Sequence, residues 1–248
     1  MEIIDAYTHC GLDKYEPIER VRAVMQAAGV SRAVLVQHLG QYDNSYLERV
    51  VATDPEHLAA ACLVDHQAPD AAGTLAVLAG SGRFRGVRLT TQVLDEAPAL
   101  FELAADLGLV IVLYAPKGMA GAVEPLERFL DRRPAARIVI THLGNPAGIG
   151  GDKHRGLFRL AAHGGTFLQI SGMGMFCPYP HEPLYELVAE AFDHFGPNRL
   201  CWGSNYPVVG GQNEYRSDLD LLLSGRLPLP AAAIPAIAGA NARQLWFE

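Results

Sequence analysis

Two histidines stand just behind short strand-like runs, His9 beyond Ile3–Ala6 and the pair Tyr7-Thr8, and His142 directly after Arg137–Thr141. An imidazole titrates near working pH, so it can act as general acid or base, or bind a metal. A histidine in that place can equally be a satisfied loop or core residue. Tyr7 and Tyr114 end comparable runs. A phenol there can donate a hydrogen bond to a carbonyl or a developing oxyanion, or simply pack. Arg88 lies in Arg85–Leu89, and its guanidinium can grip a carboxylate through two parallel bonds or form an ordinary salt bridge. Asn205 follows the run Arg199–Trp202. Its amide can orient water or substrate but cannot accept a proton at neutral pH. Ser171 follows Thr166–Ile170 without the G-x-S-x-G elbow of a nucleophile.

Composition narrows the class of function. The 248 residues carry a formal charge of −7 and no long basic run, so the footprint of a nucleic-acid binder is missing. Any anionic ligand must then be met by locally placed Arg or Lys. Cys10, Cys62, Cys177 and Cys201 form no C-x-x-C pair and no zinc-ribbon spacing. They read as free thiols in a reducing compartment, with Cys10 and Cys177 inert thiols near the mouth of the site. The start Met1–Cys10 lacks a basic then apolar leader, and the run Leu107–Tyr114 is too short to span a bilayer. The expectation is a cytoplasmic protein that meets neither membrane nor nucleic acid.

Positioning those residues requires eight strands. The runs Ile3–Ala6, Arg32–Gln37, Leu58–Val64, Arg85–Leu89, Leu109–Tyr114, Arg137–Thr141, Thr166–Ile170 and Arg199–Trp202 alternate with helical stretches such as Ile18–Ala28 and Ala120–Arg132. Several are continuously apolar, as a parallel strand buried on both faces must be. Gly29 and Gly108 suit left-handed helix caps, and Pro17 and Pro183 suit first turns. Neither G-x-G-x-x-G after the first strand nor a phosphate loop occurs, which disfavours an open nucleotide-binding sheet. The expectation is one α/β domain over residues 1–248, a (β/α)₈ TIM barrel whose last residues, Leu227–Glu248, add helices on the barrel end. In such a barrel the site lies at the C-terminal ends of the strands. The loops Asn145–Arg155 and Met173–Pro183 read as lids over it.

Four segments carry a resemblance. Ile4-Asp5-Ala6-Tyr7-Thr8-His9 is similar to I-D-x-H-x-H, and Ile140-Thr141-His142-Leu143-Gly144 is similar to a sixth-strand histidine motif. Leu200-Cys201-Trp202-Gly203-Ser204-Asn205-Tyr206-Pro207 looks like a G-S-D-x-P motif, and Asn241-Ala242-Arg243-Gln244-Leu245 looks like a closing N-A-x-x-L helix. Together they resemble the amidohydrolase superfamily, in its amidohydrolase-2 branch of decarboxylases, hydrolases and lactonases, including metal-free lactonases similar to 2-pyrone-4,6-dicarboxylate lactonase. In metal-dependent members the resemblance implies an ion held by both histidines of H-x-H, a fifth-strand histidine and the eighth-strand aspartate. Here Tyr7, Tyr114 and Asn205 stand at those places and only His9 remains, a poor set for zinc or manganese at about 2.0–2.2 Å.

The combined reading is a metal-independent hydrolase acting on a small cyclic or carboxylated substrate, with a lactone first, and no cofactor. His142, His9, Asn205 and Tyr114 would be catalytic, and Tyr7, Arg88 and Ser171 would bind substrate. Absence of the aspartate that activates water keeps a second reading open, a decarboxylase, isomerase, dehydratase or cyclase. A third is a ligand-binding pseudoenzyme. Self-association into a homo-oligomer stays open.

Overall fold

A computed structural model describes residues 1–146 and 152–248. One parallel sheet runs in sequential order through β1 (Ile4–Thr8), β2 (Arg32–Val36), β3 (Leu58–Cys62), β4 (Gly86–Thr90), β5 (Val110–Tyr114), β6 (Arg137–Ile140), β7 (Thr166–Ser171) and β8 (Leu200–Gly203). The β8–β1 seam is drawn together just past β8, where Asn205 N–H donates to the Tyr7 carbonyl and His9 N–H to the Tyr206 carbonyl, both at 2.8 Å. Helices α1 (Ile18–Ala28), α2 (Ser45–Thr53), α3 (Ala71–Gly80), α4 (Val93–Glu96), α5 (Ala99–Asp106), α6 (Val123–Arg132), α7 (Asp152–Arg155), α8 (Tyr185–Phe195), α9 (Gln212–Leu223) and α10 (Asn241–Trp246) follow in chain order. The molecule is a single-domain (β/α)₈ barrel. No helix among the described residues is long and apolar enough to cross a membrane.

Strand periodicity separates two cores. Leu35, Leu58, Ala60, Val87, Leu89, Ile111, Leu113, Ile138 and Leu168 pack outward under the helices. Their neighbours Val34, Val36, Ala59, Ala61, Val110, Val112 and Val139 fill the barrel. Because side chains alternate along a strand, the second parity carries Arg88 on β4, Tyr114 on β5 and Ser171 on β7 toward the barrel axis. β1 departs from strict alternation. Its register with β2 shifts between Asp5 and Thr8, and Ile4, Ala6 and Tyr7 all join the interior cluster. Such an irregularity re-aims a side chain, here the Tyr7 ring.

All eight expected strands are present, with ends displaced by up to two residues. Gly29 and Gly108 take left-handed φ values of 74° and 68°, as their cap positions require. Pro17 is the N-cap of α1 rather than a first-turn residue, and the expected helix at Ala120 starts at Val123. The chain end closes the barrel bottom through α10. A Cβ on Gly86 would lie 2.6 Å from the Val110 carbonyl and 2.9 Å from the Trp246 ring. Gly86→Ala is therefore expected to destabilise the fold by about 1–3 kcal/mol through overpacking. Chemical denaturation should show the loss while turnover per folded molecule stays unchanged, because the clash lies at the end of the barrel opposite the site.

Candidate active site

His9, His142, Tyr7 and Arg88 meet at the C-terminal mouth of the barrel. The Tyr7 ring stands edge-on to His9 at 5.1 Å and to His142 at 4.7 Å between centroids. The Arg88 guanidinium lies 5.9 Å from the Tyr7 ring centre and 5.2 Å from that of Tyr114. His9, His142, Arg88 and Asn205 are at most 5% exposed, whereas Tyr114 is half-buried and marks the open side. Tyr114 also lies 5.9 Å from His142 between ring centres.

Hydrogen-bond partners assign the imidazole tautomers. His9 Nδ1 is 2.6 Å from the Val36 carbonyl, which can only accept, so Nδ1 carries the proton and Nε2 keeps its lone pair. Ser171 Oγ accepts the backbone N–H of His142 at 3.2 Å and sits 2.9 Å from its Nδ1. Among the described residues the serine hydroxyl has no other acceptor within hydrogen-bond reach, so it is assigned as donor to Nδ1, which leaves His142 with its proton on Nε2. Neither Nε2 has a hydrogen-bond partner among the described residues. The site therefore offers one imidazole acceptor and one imidazole donor. Ser171, expected to bind substrate, has its hydroxyl 2.9 Å from His142 Nδ1, where it can orient that ring.

Burial holds both imidazoles neutral, and the Arg88 charge adds to the effect. The pKa of His142 falls to about 3 and that of His9 well below the usual histidine range. Burial also pushes the Tyr7 phenol up to about 12, with Arg88 pulling the other way. The Tyr7 hydroxyl has no hydrogen-bond partner among the described residues, and neither does Arg88 Nε. Arg88 Nη1 donates to the Gln37 carbonyl at 2.9 Å, but no carboxylate pairs with the guanidinium among the described residues. A buried cation without a counter-charge is costly to fold. Arginine oriented in this way is prepared for negative charge brought by a ligand.

Backbone strain gathers at the same place. His142, Leu143 and Asn145 have φ of 53–58°, and Asn205 has φ 55°. Non-glycine residues rarely take left-handed φ, and such strain persists where surroundings over-determine it, often at functional sites. Asn205 Nδ2 reaches Met175 Sδ at 3.4 Å. Gly172 leaves just enough room, since a Cβ there would approach His142 Nδ1 to 2.8 Å and Asn205 Nδ2 to 3.0 Å. Beneath the site, Asp5 accepts from Ser204 N (2.8 Å), Ser204 Oγ (2.6 Å) and Tyr7 N (3.2 Å), tying β1 to the loop that presents Asn205.

Three participants lay outside the sequence-based set. Tyr15 stacks on His9 at 4.9 Å and stands edge-on to His38 at 5.0 Å. Its loop has no periodicity that would single it out. Met175 and Gly172 belong to the expected lid Met173–Pro183 and its entrance. Of the other expected lid, Asn145–Arg155, residues 147–151 lie outside the described residues. Cys10 and Cys177 are buried, and burial pushes the Cys10 thiol up to about 12, so it is not a ready nucleophile. His66 pairs with Glu96 at 2.8 Å, away from the cluster, and Arg85 is exposed at the far end of β4.

The donor set fits a divalent metal poorly. Two imidazole nitrogens face phenols and an amide, and no three His, Cys, Asp or Glu side chains come together to hold an ion among the described residues. Tyr7 resists the deprotonation that ligation would require, and Arg88 places a positive charge beside the same space.

Comparison with known proteins agrees with this architecture. The sequence model of the amidohydrolase family matches residues 4–247. The L-fucono-1,5-lactonase of Burkholderia ambifaria is 30% identical over 220 residues, covering 84% of this chain and 73% of the lactonase. A solved 2-pyrone-4,6-dicarboxylic acid hydrolase from Pseudomonas putida, so assigned provisionally, superposes with a TM-score of 0.79 at 24% identity, covering 98% of this chain and 97% of the other. A zinc-bound amidohydrolase from Burkholderia multivorans superposes at 0.76 with 21% identity and 99% of each chain covered.

Proposed function

The chain belongs to the amidohydrolase family, and on that footing we propose that it hydrolyses a small lactone bearing an anionic group, without a divalent metal. The observation that carries this reading is the buried, uncompensated Arg88 beside two neutral imidazoles of opposite tautomer. Arg88 holds the anionic group of the substrate. Tyr7 O–H and His142 Nε2–H polarise the lactone carbonyl, with Tyr114 at the open side and Asn205 orienting the bound ring. His9 Nε2 takes a proton from water as its oxygen bonds to the carbonyl carbon. The carbonyl electron pair moves onto oxygen, where the two donors meet it. Collapse of the tetrahedral adduct breaks the bond to the ring oxygen, which receives the proton from His9 as it leaves. The relationship to a curated lactonase supports the lactone, and the donor set supports the absence of metal.

One observation favours a second reading. Asn205 cannot deprotonate water, and its amide is turned to the Met175 sulfur. A non-hydrolytic proton shuttle between His9 and His142 uses the same groups. Enzyme stripped with chelator and verified metal-free by elemental analysis should open members of a panel of sugar and carboxylated lactones, unaffected by added zinc or manganese. In ¹⁸O-water the product should carry label. Turnover without label would establish the second reading, and strict dependence on added metal would overturn the first.

A further inference from the structure

The segment leading from β7 to α8 carries Gly172 and Met175 against His142 and Asn205. Farther along it, His181 is buried at 3% exposure with a left-handed φ of 66°. Its Nδ1 lies 2.9 Å from the Cys177 carbonyl, and its Nε2 lies 3.0 Å from Asp218 Oδ1 on α9. Both partners only accept. A neutral imidazole would turn one lone pair onto an acceptor, whereas an imidazolium satisfies both. Burial favours the neutral ring, but the Asp218 hydrogen bond, the Cys177 carbonyl and the Asp218 charge outweigh it, and the pKa of His181 rises above the usual histidine value. The other charged and titratable groups around this contact are Cys177 and Tyr179 on the segment, Glu214 on α9 and Arg226 behind Tyr179. Glu214 is engaged by Gly211 N–H, and Arg226 donates to the Tyr179 hydroxyl. Asp218 is thus the carboxylate that meets the ring.

We infer that His181 and Asp218 form a buried imidazolium–carboxylate latch, a pair of positioning residues that clamps the β7–α8 segment to α9 and so holds Met175 and Gly172 on the catalytic His142 and Asn205. The inference rests on the proposed reaction for its catalytic consequence but not for the latch itself. The bond pattern is complete below the raised pKa, and one bond is lost as pH rises through it. Above that pH the segment loosens and turnover falls, which gives the enzyme an alkaline limb belonging to a residue that never touches substrate.

Two measurements on the full chain separate the latch from the reaction. Nitrogen-15 NMR of the wild-type imidazoles should show His181 keeping protons on both nitrogens to a higher pH than the exposed imidazoles, and hydrogen exchange of residues 173–184 should accelerate with pH beyond the intrinsic rate. Asp218→Asn should bring that acceleration to lower pH and lower protection of the segment about tenfold, the worth of one charge-assisted bond. With a lactone in turnover, Asp218→Asn should move the alkaline limb of kcat to lower pH, and His181→Ala should abolish that limb. A His181 that loses its proton together with or before the exposed imidazoles, or unchanged exchange in Asp218→Asn, overturns the latch whether or not the enzyme hydrolyses lactones. A confirmed latch with an alkaline limb that persists in His181→Ala overturns its role in turnover. Should either variant fail to fold, the wild-type NMR and exchange measurements still decide.

Discussion

Methionine at position 88 is expected to yield a more stable protein that has nearly lost activity. Arg88 is 5% exposed, and no carboxylate pairs with it among the described residues. Replacing even a buried ion pair by apolar side chains of similar volume is often neutral or stabilising by about 1–4 kcal/mol, and a buried charge without a carboxylate partner has less Coulomb energy to lose. The lost bond to Gln37 O and the lost contacts with the Tyr7 and Tyr114 rings place Arg88→Met at the lower end, about 1 kcal/mol, an upward shift in Tm of roughly 2–4 °C for a chain of this size. Catalysis moves the other way. Two charge-assisted bonds to a substrate carboxylate, at about 1.5–3 kcal/mol each, correspond to a fall in kcat/KM of about 10²–10⁴-fold. Arg88→Lys keeps charge but not the planar fork and should fall between. Calorimetry and kinetics on the same preparations check both signs. A large drop in Tm for Arg88→Met would make the arginine a structural element of the barrel, and the functional reading would fail with it.

Fold and site were legible in the sequence to different depths. The strands could be read because each is buried on both faces and bounded by glycine, proline or polar residues, as in Arg32-Ala-Val-Leu-Val before Gln37 and His38. Strand parity then points Arg88 inward and Arg85 away, which alternation alone implies. What parity cannot give is the irregularity in β1 that swings Tyr7 between the two histidines, since a register shift depends on the partner strand. Nor can it give Tyr15, which reaches His9 from a loop without periodic pattern. The role of Ser171 was inaccessible for a related reason. A hydroxyl at a strand end can meet substrate or a neighbour, and only the left-handed turn at His142 brings the ring back onto it. His181 and Asp218 stand 37 residues apart and carry no motif, so their pairing is a product of packing.

The proton inventory of the site leads to the second large effect. His9 presents a lone pair, yet burial and then Arg88 depress its basicity. A general base works best with a pKa near the working pH, so the empty site holds a weak one. A substrate carboxylate on Arg88 changes this, because it cancels the Arg88 charge, which ranks second after burial among the causes that hold His9 and His142 neutral. Binding should therefore raise the basicity of His9 at the moment it is needed. The expected signature is a split between two pH profiles. The acid limb of kcat/KM, which reports the free enzyme, should lie well below the usual histidine range, with activity kept above the limb and lost as pH falls through it. The acid limb of kcat, which reports the bound complex, should lie higher. His9→Ala should cost about 10²–10⁴-fold in kcat, the usual worth of a general base, and His142→Ala should lose the donor on the opposite side with a cost of similar order. Burial raises the Asp5 pKa to about 6 despite its bonds to Ser204 and Tyr7, so a limb of kcat/KM near pH 6 that disappears in Asp5→Asn would belong to Asp5. Coincident limbs for kcat and kcat/KM would mean that the substrate leaves the Arg88 field intact, and then the imidazoles would not gain their basicity from an anion bound there.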